Sequence, residues 1–582
     1  MVVSEVCRAR EVFMRFEEWS VKGFDRNAAV GLCKRGINPL AAVFMCSRGM
    51  TGYDDAVSFI TDRPSDIHDP MLLDGISAAA ERIERALADG EKIVVYGDYD
   101  VDGMTASALM KSYLRSRGAE CDVYIPGRAD EGYGLNRPAL EHLRAEGAGL
   151  VVTVDCGITA IEEAEYAREL GLDLVITDHH ECRDALPDAV AVVDPKRPDS
   201  GYPFSVLAGV GVAFKLVCAL EKDRPAAELL ELYGDLVALG TIADVMPVIG
   251  ENRALIRAGL RKLAQNPRPG LMALMRAAGT PQADVDSAAI GFAIAPRLNA
   301  AGRMGQTELS VNILLTEDEA EAERLTHELC ELNTRRRELE GSIFAEVEER
   351  MREAAPDGPI VIFDEKWFHG VMGIVAARTA ERWMFPAVMI NMDEDGIGRG
   401  SCRSFGHFKM YSALQKCCDL LINYGGHEMA AGITISRDNI DEFRERISEI
   451  YREEIKTRPV SKLFIDFEVE KPRLLDIDNV KSFALLEPFG NGNLPPNMVI
   501  RGARVTFILP VGGGKHTRLK IEKNRITLDC IFFAAEADSL KIREGDEIDV
   551  AFAPHLNDFR GRRSVQLHII DIRPHEGAKR VK

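Results

Sequence analysis

Five short apolar runs, at 93–96, 123–125, 150–154, 174–177 and 191–193, are separated by stretches patterned for helices. Runs this short and apolar on both alternations suit strands buried on two faces. With helical crossovers between them they dictate a parallel sheet covered by helices. Four of the five runs are followed closely by an acid: Asp98, Asp155, Asp178 and Asp194. In a doubly wound sheet the carboxyl ends of the strands border the ligand crevice, so acids stationed there are site candidates. An Asp in that position also opens loops and caps helices, and the spacing alone leaves both readings open.

Beyond this sheet the pattern changes twice. Residues 317–354 hold no Pro and one Gly, with Leu325, Leu329, Leu332, Leu339, Ile343, Val347 and Met351 marking a helical stripe. An unbroken helix of that length spans about 55 Å at 1.5 Å per residue, enough to connect two lobes. Strand-like runs return at 360–363 and 387–391 with a helical stretch at 371–383 between them, a second α/β unit reaching to about residue 456. Residues 460–574 alternate apolar and polar positions around Gly and Asn turns, the pattern of a small β barrel. The fold class expected is α/β, two α/β lobes joined by a long helix, with a C-terminal OB-like β barrel. The domain boundaries expected are 1–74, 75–250, 251–354, 355–456 and 457–582, the first of them without an assigned role.

Composition narrows the class. At 582 residues the chain exceeds one core, and roughly three or four domains are expected. With 46% hydrophobic and 28% charged residues it is an ordinary globular protein rather than a disordered one. The first residues lack a basic stretch followed by an apolar run, and no 18-residue uncharged stretch occurs; a cytoplasmic protein without membrane association is expected. The 12 cysteines show no C-x-x-C spacing, and Cys417 beside Cys418 suits neither a zinc knuckle nor an easy disulfide, so reduced thiols are expected. Lys plus Arg at 72 against Asp plus Glu at 92 gives a net charge of −20. That balance argues against coating duplex DNA by bulk electrostatics but allows a basic groove on an acidic body.

The densest chemical signal is G-D-Y-D-V-D-G-M-T at 97–105, directly after the first strand. Its alternating carboxylates resemble a calcium loop, but Leu109 stands where an EF-hand needs its twelfth-position Glu. Downstream come T-V-D-C-G at 153–157, T-D-H-H at 177–180 and T-I-A-D-V at 241–245. Carboxylates with one or two imidazoles suit Mn²⁺ or Mg²⁺, and a carboxylate can bridge two such ions. Paired ions about 3.5–4 Å apart stabilise the attacking and leaving oxygens of a phosphoryl displacement.

These four segments, in this order, resemble the metal-site motifs of the DHH phosphoesterase superfamily and, within it, the RecJ family of single-strand-specific exonucleases. The resemblance continues through A-P-R-L-N-A-A-G-R-M-G at 295–305, H-G-V-M-G-I-V-A-A-R at 369–378, G-R-G-S-C-R-S at 398–404 and G-G-H-E-M-A-A-G at 425–432. E-P-F-G-N-G-N at 487–493 and G-K-H-T-R-L-K-I at 514–521 resemble the family's OB region. Carried over motif by motif, it implies Asp100, Asp102, Asp155, His179 and Asp244 as ligands of two divalent ions, Mn²⁺ or Mg²⁺. Asp98, Asp178 and His180 fall in or beside that centre as catalytic candidates. Asp178 suits fixing an imidazole tautomer; His180 suits facing the scissile phosphate, and Asp98 suits either a ligand or a loop cap.

On the phosphate side, guanidinium forks and Gly-rich turns match anionic oxygens. Arg297, Arg303, Arg399 and Arg403 are candidates to hold a DNA backbone, with Ser401 and Ser404 as neutral donors and Gly425, Gly426 and His427 as a phosphate-facing turn. In the barrel, Lys515, Arg518 and Lys520, with His516, Lys523 and Arg525, are candidates for strand binding, while Phe507, Phe532 and Phe533 divide between core and stacking platform. G-G-G-K at 512–515 is not a Walker A loop, because His516 stands where Ser or Thr is required. Arg560, Arg562 and Arg563 form either a DNA contact or a solvated turn.

The resemblance implies a metal-dependent exonuclease that degrades single-stranded DNA from the 5′ end to 5′-mononucleotides. It further implies action beside a helicase and a single-strand-binding protein in recombination and repair. Two rivals stand beside this reading. A DHH-family phosphodiesterase of short oligonucleotides or cyclic dinucleotides has no use for an extended strand-binding domain. A non-catalytic single-strand-binding relative would not need Asp100, Asp102, Asp155, His179, His180 and Asp244 together.

Overall fold

The computed structural model describes residues 16–61, 63, 66–127, 132, 134–353, 356–456, 460–559 and 562–576. The chain divides into two compact units, one of Pro64–Pro459 with Gly490–Gly492, the other of Met1–Arg63, Val460–Phe489 and Asn493–Lys582.

In the first of these, the runs read from the sequence are parallel strands: β1 (Lys92–Tyr96), β2 (Cys121–Tyr124), β3 (Ala148–Val154), β4 (Asp173–Thr177) and β5 (Ala191–Val193). Their order is β2-β1-β3-β4-β5. Val94, Val151, Ile176 and Val192 are buried on one face, and Ile93, Val95, Val152, Val175 and Val193 on the other. Two-sided burial explains why these strands are continuously apolar. The order reverses between β1 and β3, which opens a crevice beyond their carboxyl ends. Around the sheet lie α1 (Val101–Ser116), α2 (Gly209–Leu220), α3 (Ala226–Ala243) and α4 (Ala295–Arg303).

The helical stripe forms one 35-residue helix, α5 (Glu319–Glu353). Its first half buries Leu325, Leu329 and Leu332 in the core of the first lobe, and its second half buries Ile343 and Val347 in that of the second. One helix is thus a structural member of both lobes. The second lobe carries β6 (Ile360–Asp364), α6 (Met372–Trp383), β7 (Ala387–Met392), β8 (Ile397–Arg403), β9 (Leu421–Gly426) and β10 (Ala430–Ser436). Its sheet runs β9-β10-β8-β7-β6, antiparallel except for β6 with β7.

The other unit holds the barrel: β11 (Met498–Val511), β12 (His516–Lys523), β13 (Ile526–Phe532), β14 (Glu547–Phe559) and β15 (Arg562–Pro574). Pairing runs β11-β12-β13-β15-β14 and closes from β14 back to β11. Asn524 and Arg525, at φ 54° and 64°, make the tight turn between β12 and β13 that antiparallel twist favours. The described N-terminal residues belong to this unit. Leu40, Phe44 and Met45, of the helix Pro39–Ser47, share one core with Met498, Val505, Leu519, Phe532 and Phe552. Ile67 and Leu73 pack into the first lobe's core. No helix among the described residues is long and apolar enough to cross a membrane, and the described cysteines are free.

Candidate metal centre

The loop after β1 is built to bring carboxylates together. Asp100 caps α1, its Oδ1 accepting the N–H groups of Asp102 at 2.9 Å and Gly103 at 3.2 Å. The loop doubles back so closely that a Cβ on Gly103 would lie 2.6 Å from the Asp98 backbone. This is the physical reason for the Gly that closes D-Y-D-V-D-G. Asp102, one residue into α1, is buried and accepts N–H groups from the start of α2, Gly209 to Oδ2 at 2.6 Å and Val210 to Oδ1 at 2.9 Å. A helix N-terminus favours a negative charge there. Gly209 is also the residue over which Asp155 folds: a Cβ there would stand 2.6 Å from Asp155 Oδ1.

Asp155 follows β3 directly and holds a left-handed φ of 62°. Beyond β4, Asp178 is buried, and its Oδ1 accepts the N–H of His179 at 2.7 Å while its Oδ2 accepts that of Ile158 at 2.9 Å. His180 Nδ1 lies 2.8 Å from Asp178 Oδ1, the carboxylate–imidazole contact that orients a ring and fixes its tautomer. Asp244 ends α3, and Val245 beside it has φ 57°.

These side chains converge. His179 Nε2 lies 3.0 Å from Asp155 Oδ1, 3.7 Å from Asp244 Oδ2 and 3.8 Å from Asp102 Oδ2. Three overlapping groups form, Asp98–Asp100–Asp155, Asp102–His179–Asp244 and Asp155–His179–His180, in each of which one ligand atom per residue lies within 4.8 Å of the others. Asp244 Oδ2 is buried and meets no hydrogen-bond partner among the described residues. Buried polar atoms left unsatisfied are unfavourable unless something binds them. Oxygen and imidazole donors oriented inward fit a hard or borderline divalent ion.

The electrostatics agree. Burial, then the charges of Asp102, Asp100, Asp98 and Asp244, holds the Asp155 carboxyl well above its ordinary range. Burial and Asp100 lift Asp102 to about 7 despite its backbone hydrogen bonds, and burial and Asp102 lift Asp244 to about 8. Carboxylates this close cannot all ionise without a compensating cation. Burial, then repulsion from His180, lowers His179 to about 3, which leaves it neutral and able to ligate. Burial opposes protonation of His180, but the hydrogen bond to Asp178 together with the charges of Asp178, Asp244 and Asp98 outweighs it and lifts His180 to about 9. Asp178 responds reciprocally: burial raises it, yet the His180 hydrogen bond and charge, with the Ile158 N–H, together leave it below its ordinary value.

The phosphate-side candidates divide into those near this centre and those committed elsewhere. In α4, Asn299 Oδ1 accepts the Val101 N–H at 3.2 Å, and a Cβ on Gly302 would lie 2.1 Å from Tyr99 O, so α4 braces the loop after β1. Arg303, at its end, donates to Gly370 O of the second lobe at 3.4 Å. The Arg297 guanidinium donates to the carbonyls of Ala293 and Ala277. Alternation along β8 puts Arg399, Ser401 and Arg403 on one face and buries Gly398, Gly400 and Cys402 on the other. Ser404 is turned inward and its hydroxyl donates to Phe408 O. Gly425 and Gly426 end β9, and Gly426, at φ 131°, begins a tight turn in which His427 and Ala430 exchange backbone hydrogen bonds of 2.8 and 3.2 Å. That turn stacks His427 on His180, ring centroids 6.4 Å apart and planes 8° from parallel.

In the barrel, Lys515 is exposed in its turn, and the exposed Lys520 stands 5.9 Å from the centroid of the Phe507 ring. Arg518 is clamped by both oxygens of Asp529 at 3.0 and 2.5 Å. Phe532 is core, whereas Phe507 and Phe533 are exposed. Phe533 lies edge-on to His516 and His568, and His568 stacks on His555 at 3.7 Å. That ladder was missed, since three histidines far apart in sequence carry no pattern. Of the basic patch, Arg560 lies outside the described residues, and Arg563 pairs with Asp558 at 3.1 Å.

Comparison with known proteins follows the same division. The DHH family N-terminal domain matches residues 92–241, the DHHA1 domain residues 357–453 and the RecJ OB domain residues 465–571. The chain is 37% identical over 560 residues to the single-stranded-DNA-specific exonuclease RecJ of Bacillus subtilis, a span that is 95% of this chain and 70% of that one. The crystal structure of RecJ in complex with Mn²⁺ from Thermus thermophilus superposes with a TM-score of 0.81 at 32% identity, covering 96% of this chain and 80% of that one. RecJ of the same organism in complex with Mg²⁺ gives 0.77 at 30%, covering 96% and 79%. Likeness at this level, sustained through both lobes and the barrel, means that the chain belongs to the RecJ family of single-stranded-DNA-specific exonucleases.

Proposed function

We propose that the chain is a metal-dependent exonuclease that degrades single-stranded DNA from the 5′ end to 5′-mononucleotides, acting in recombination and repair beside a helicase and a single-strand-binding protein. The observation that carries this reading is the row of buried strand-end acids meeting His179 within ligand distance, in a chain of this family. Asp100, Asp102, Asp155, His179 and Asp244, with Asp98 at the edge of the cluster, are the residues proposed to hold two divalent ions. Such ions supply electrophilic stabilisation of the phosphoryl group and activate water. Asp178 orients His180, which is proposed to carry a proton toward the scissile phosphate, paired with His427 of the second lobe. Arg303, Arg399, Ser401 and Arg403, with the Gly425–Gly426 backbone, are proposed to position the strand, and Lys515 and Lys520, with Arg518 once Asp529 releases it, to guide it along the barrel. Arg297 and Ser404 would join only by releasing the carbonyls they hold. The barrel, with its exposed aromatics, favours long strands over dinucleotides as substrates.

The test uses single strands labelled at the 5′ or the 3′ end and their duplex, incubated with Mn²⁺, Mg²⁺ or EDTA. Early release of labelled mononucleotide from the 5′-labelled single strand, abolished by EDTA and by Asp102→Ala, is the expected result. Early release from the 3′ label would reverse the polarity, and tight strand binding without cleavage would promote the binding-protein rival.

A further inference from the structure

Beyond the residues that resemble family motifs, one cation is held at the same row of strand ends. Asp194 ends β5 and is buried, and its Oδ1 accepts the Lys196 N–H at 2.7 Å. The neighbouring Asp178 N–H donates to Val193 O at 3.0 Å, so the backbone carrying Lys196 is fixed beside the backbone carrying the two histidines. The Lys196 side chain is 22% exposed, and its Nζ lies 3.2 Å from Oε1 of Glu181, whose own side chain is 70% exposed. Glu181 follows His180 directly, and the His180 ring stacks against His427 of the second lobe. The charge of Lys196 is felt at His427. His427 is lowered first by partial burial, next by His180 and then by Lys196, with Glu181 opposing.

We propose that Lys196 contacts a phosphate of the bound strand at the mouth of the metal centre, and that Glu181 holds its ammonium in the free protein as a stand-in for that phosphate. Lysine binds phosphate as a point charge and needs no fixed fork geometry. An exposed carboxylate on a half-buried ammonium is a weak pair that a phosphodiester can replace. The proposal rests on the single-strand reading of the site.

The test is made on the full chain, with a 5′-phosphorylated oligodeoxythymidylate in EDTA, so that binding is read by fluorescence anisotropy without cleavage. Lys196→Gln is expected to weaken binding about fivefold and to reduce the slope of log Kd against log salt by about 0.7, the loss of one phosphate contact on a single strand. Lys196→Arg is expected to retain both. Glu181→Gln is expected to tighten binding, and the gain is expected to vanish in the Lys196→Gln background. Mn²⁺ affinity, measured by titration of each variant, is expected to match the wild type, which excludes a collapsed site. An unchanged salt slope in Lys196→Gln, or an equal gain from Glu181→Gln in both backgrounds, overturns the proposal. A wild-type chain that binds the strand but does not cleave it when Mn²⁺ is restored overturns the nuclease reading instead, and the anisotropy results still decide on Lys196.

Discussion

At Asp102 three demands meet: it is buried, it accepts two N–H groups from the start of α2, and it shares space with Asp100, Asp155 and Asp244. Asp102→Ala removes a carboxylate from the cluster and leaves the Gly209 and Val210 donors without acceptors. It is expected to lower cleavage by more than about 100-fold and to weaken Mn²⁺ binding in parallel, read by single-turnover rates and metal titration. The raised acids set a pH dependence with a definite sign. Asp102, at about 7, and Asp244, at about 8, hold protons in the folded chain at pH values where an unfolded carboxyl has lost them. The folded state therefore binds more protons between about pH 4 and pH 8, and metal-free stability falls as pH rises through that window. Chemical denaturation of the EDTA-treated protein at pH 5 and pH 8 is expected to show lower stability at pH 8, with Mg²⁺ or Mn²⁺ removing the difference. Equal stability at both values without metal would refute the assignment of raised acids. Asp98, Asp155 and Asp178 were legible as acids that follow apolar runs, whereas Asp100, Asp102 and Asp244 were singled out by the resemblance of their motifs. The reciprocal Asp178–His180 contact was legible as chemistry, but Lys196, two positions past a strand-end acid, had no motif to announce it.

Among the elements, α4 shows how packing decides what a motif does. A-P-R-L-N-A-A-G-R reads as an arginine-bearing segment, yet its Gly302 lies against Tyr99 O and its Asn299 against the Val101 N–H. The helix serves the loop after β1 as well as any phosphate. Gly302→Ala would place a methyl 2.1 Å from that carbonyl and must push the loop or the helix away. A stability loss of about 1–3 kcal/mol is expected. Metal affinity is expected to fall as well, and unaltered Mn²⁺ binding would show that the loop does not depend on this contact. The long helix α5 was readable in extent from its stripe and its lack of Pro. Its division of labour was not, because a stripe shows which face is buried and not which lobe buries it. Inward-facing Ser404 and the Asp529-clamped Arg518 make the same point: residue type marks a possible donor, and only its neighbours show whether the donor is committed.

For the whole molecule, the N-terminal residues change most between sequence and structure. Phe44 is fully buried against Phe483 and Phe489, with ring centroids 5.8 and 6.5 Å away, and Arg48 is held by both oxygens of Asp466 at 3.0 Å. Phe44→Ala is therefore expected to destabilise the barrel unit by about 3–5 kcal/mol, although Phe44 lies more than 400 residues before the first barrel strand. Limited proteolysis with heating is expected to cut the barrel earlier in the variant, and an unchanged pattern would mean that the N-terminal helices are dispensable. By itself the sequence determined the strands, the long helix, the barrel pattern and the acids Asp98, Asp155 and Asp178 at the strand ends, since each is written in local periodicity or in a residue beside a periodic run. Tertiary structure alone decided that residues before 64 complete the barrel's core, that His180 meets His427 and that Lys196 faces Glu181. These are contacts between segments distant along the chain, or between side chains whose direction depends on packing, and local periodicity carries no record of either.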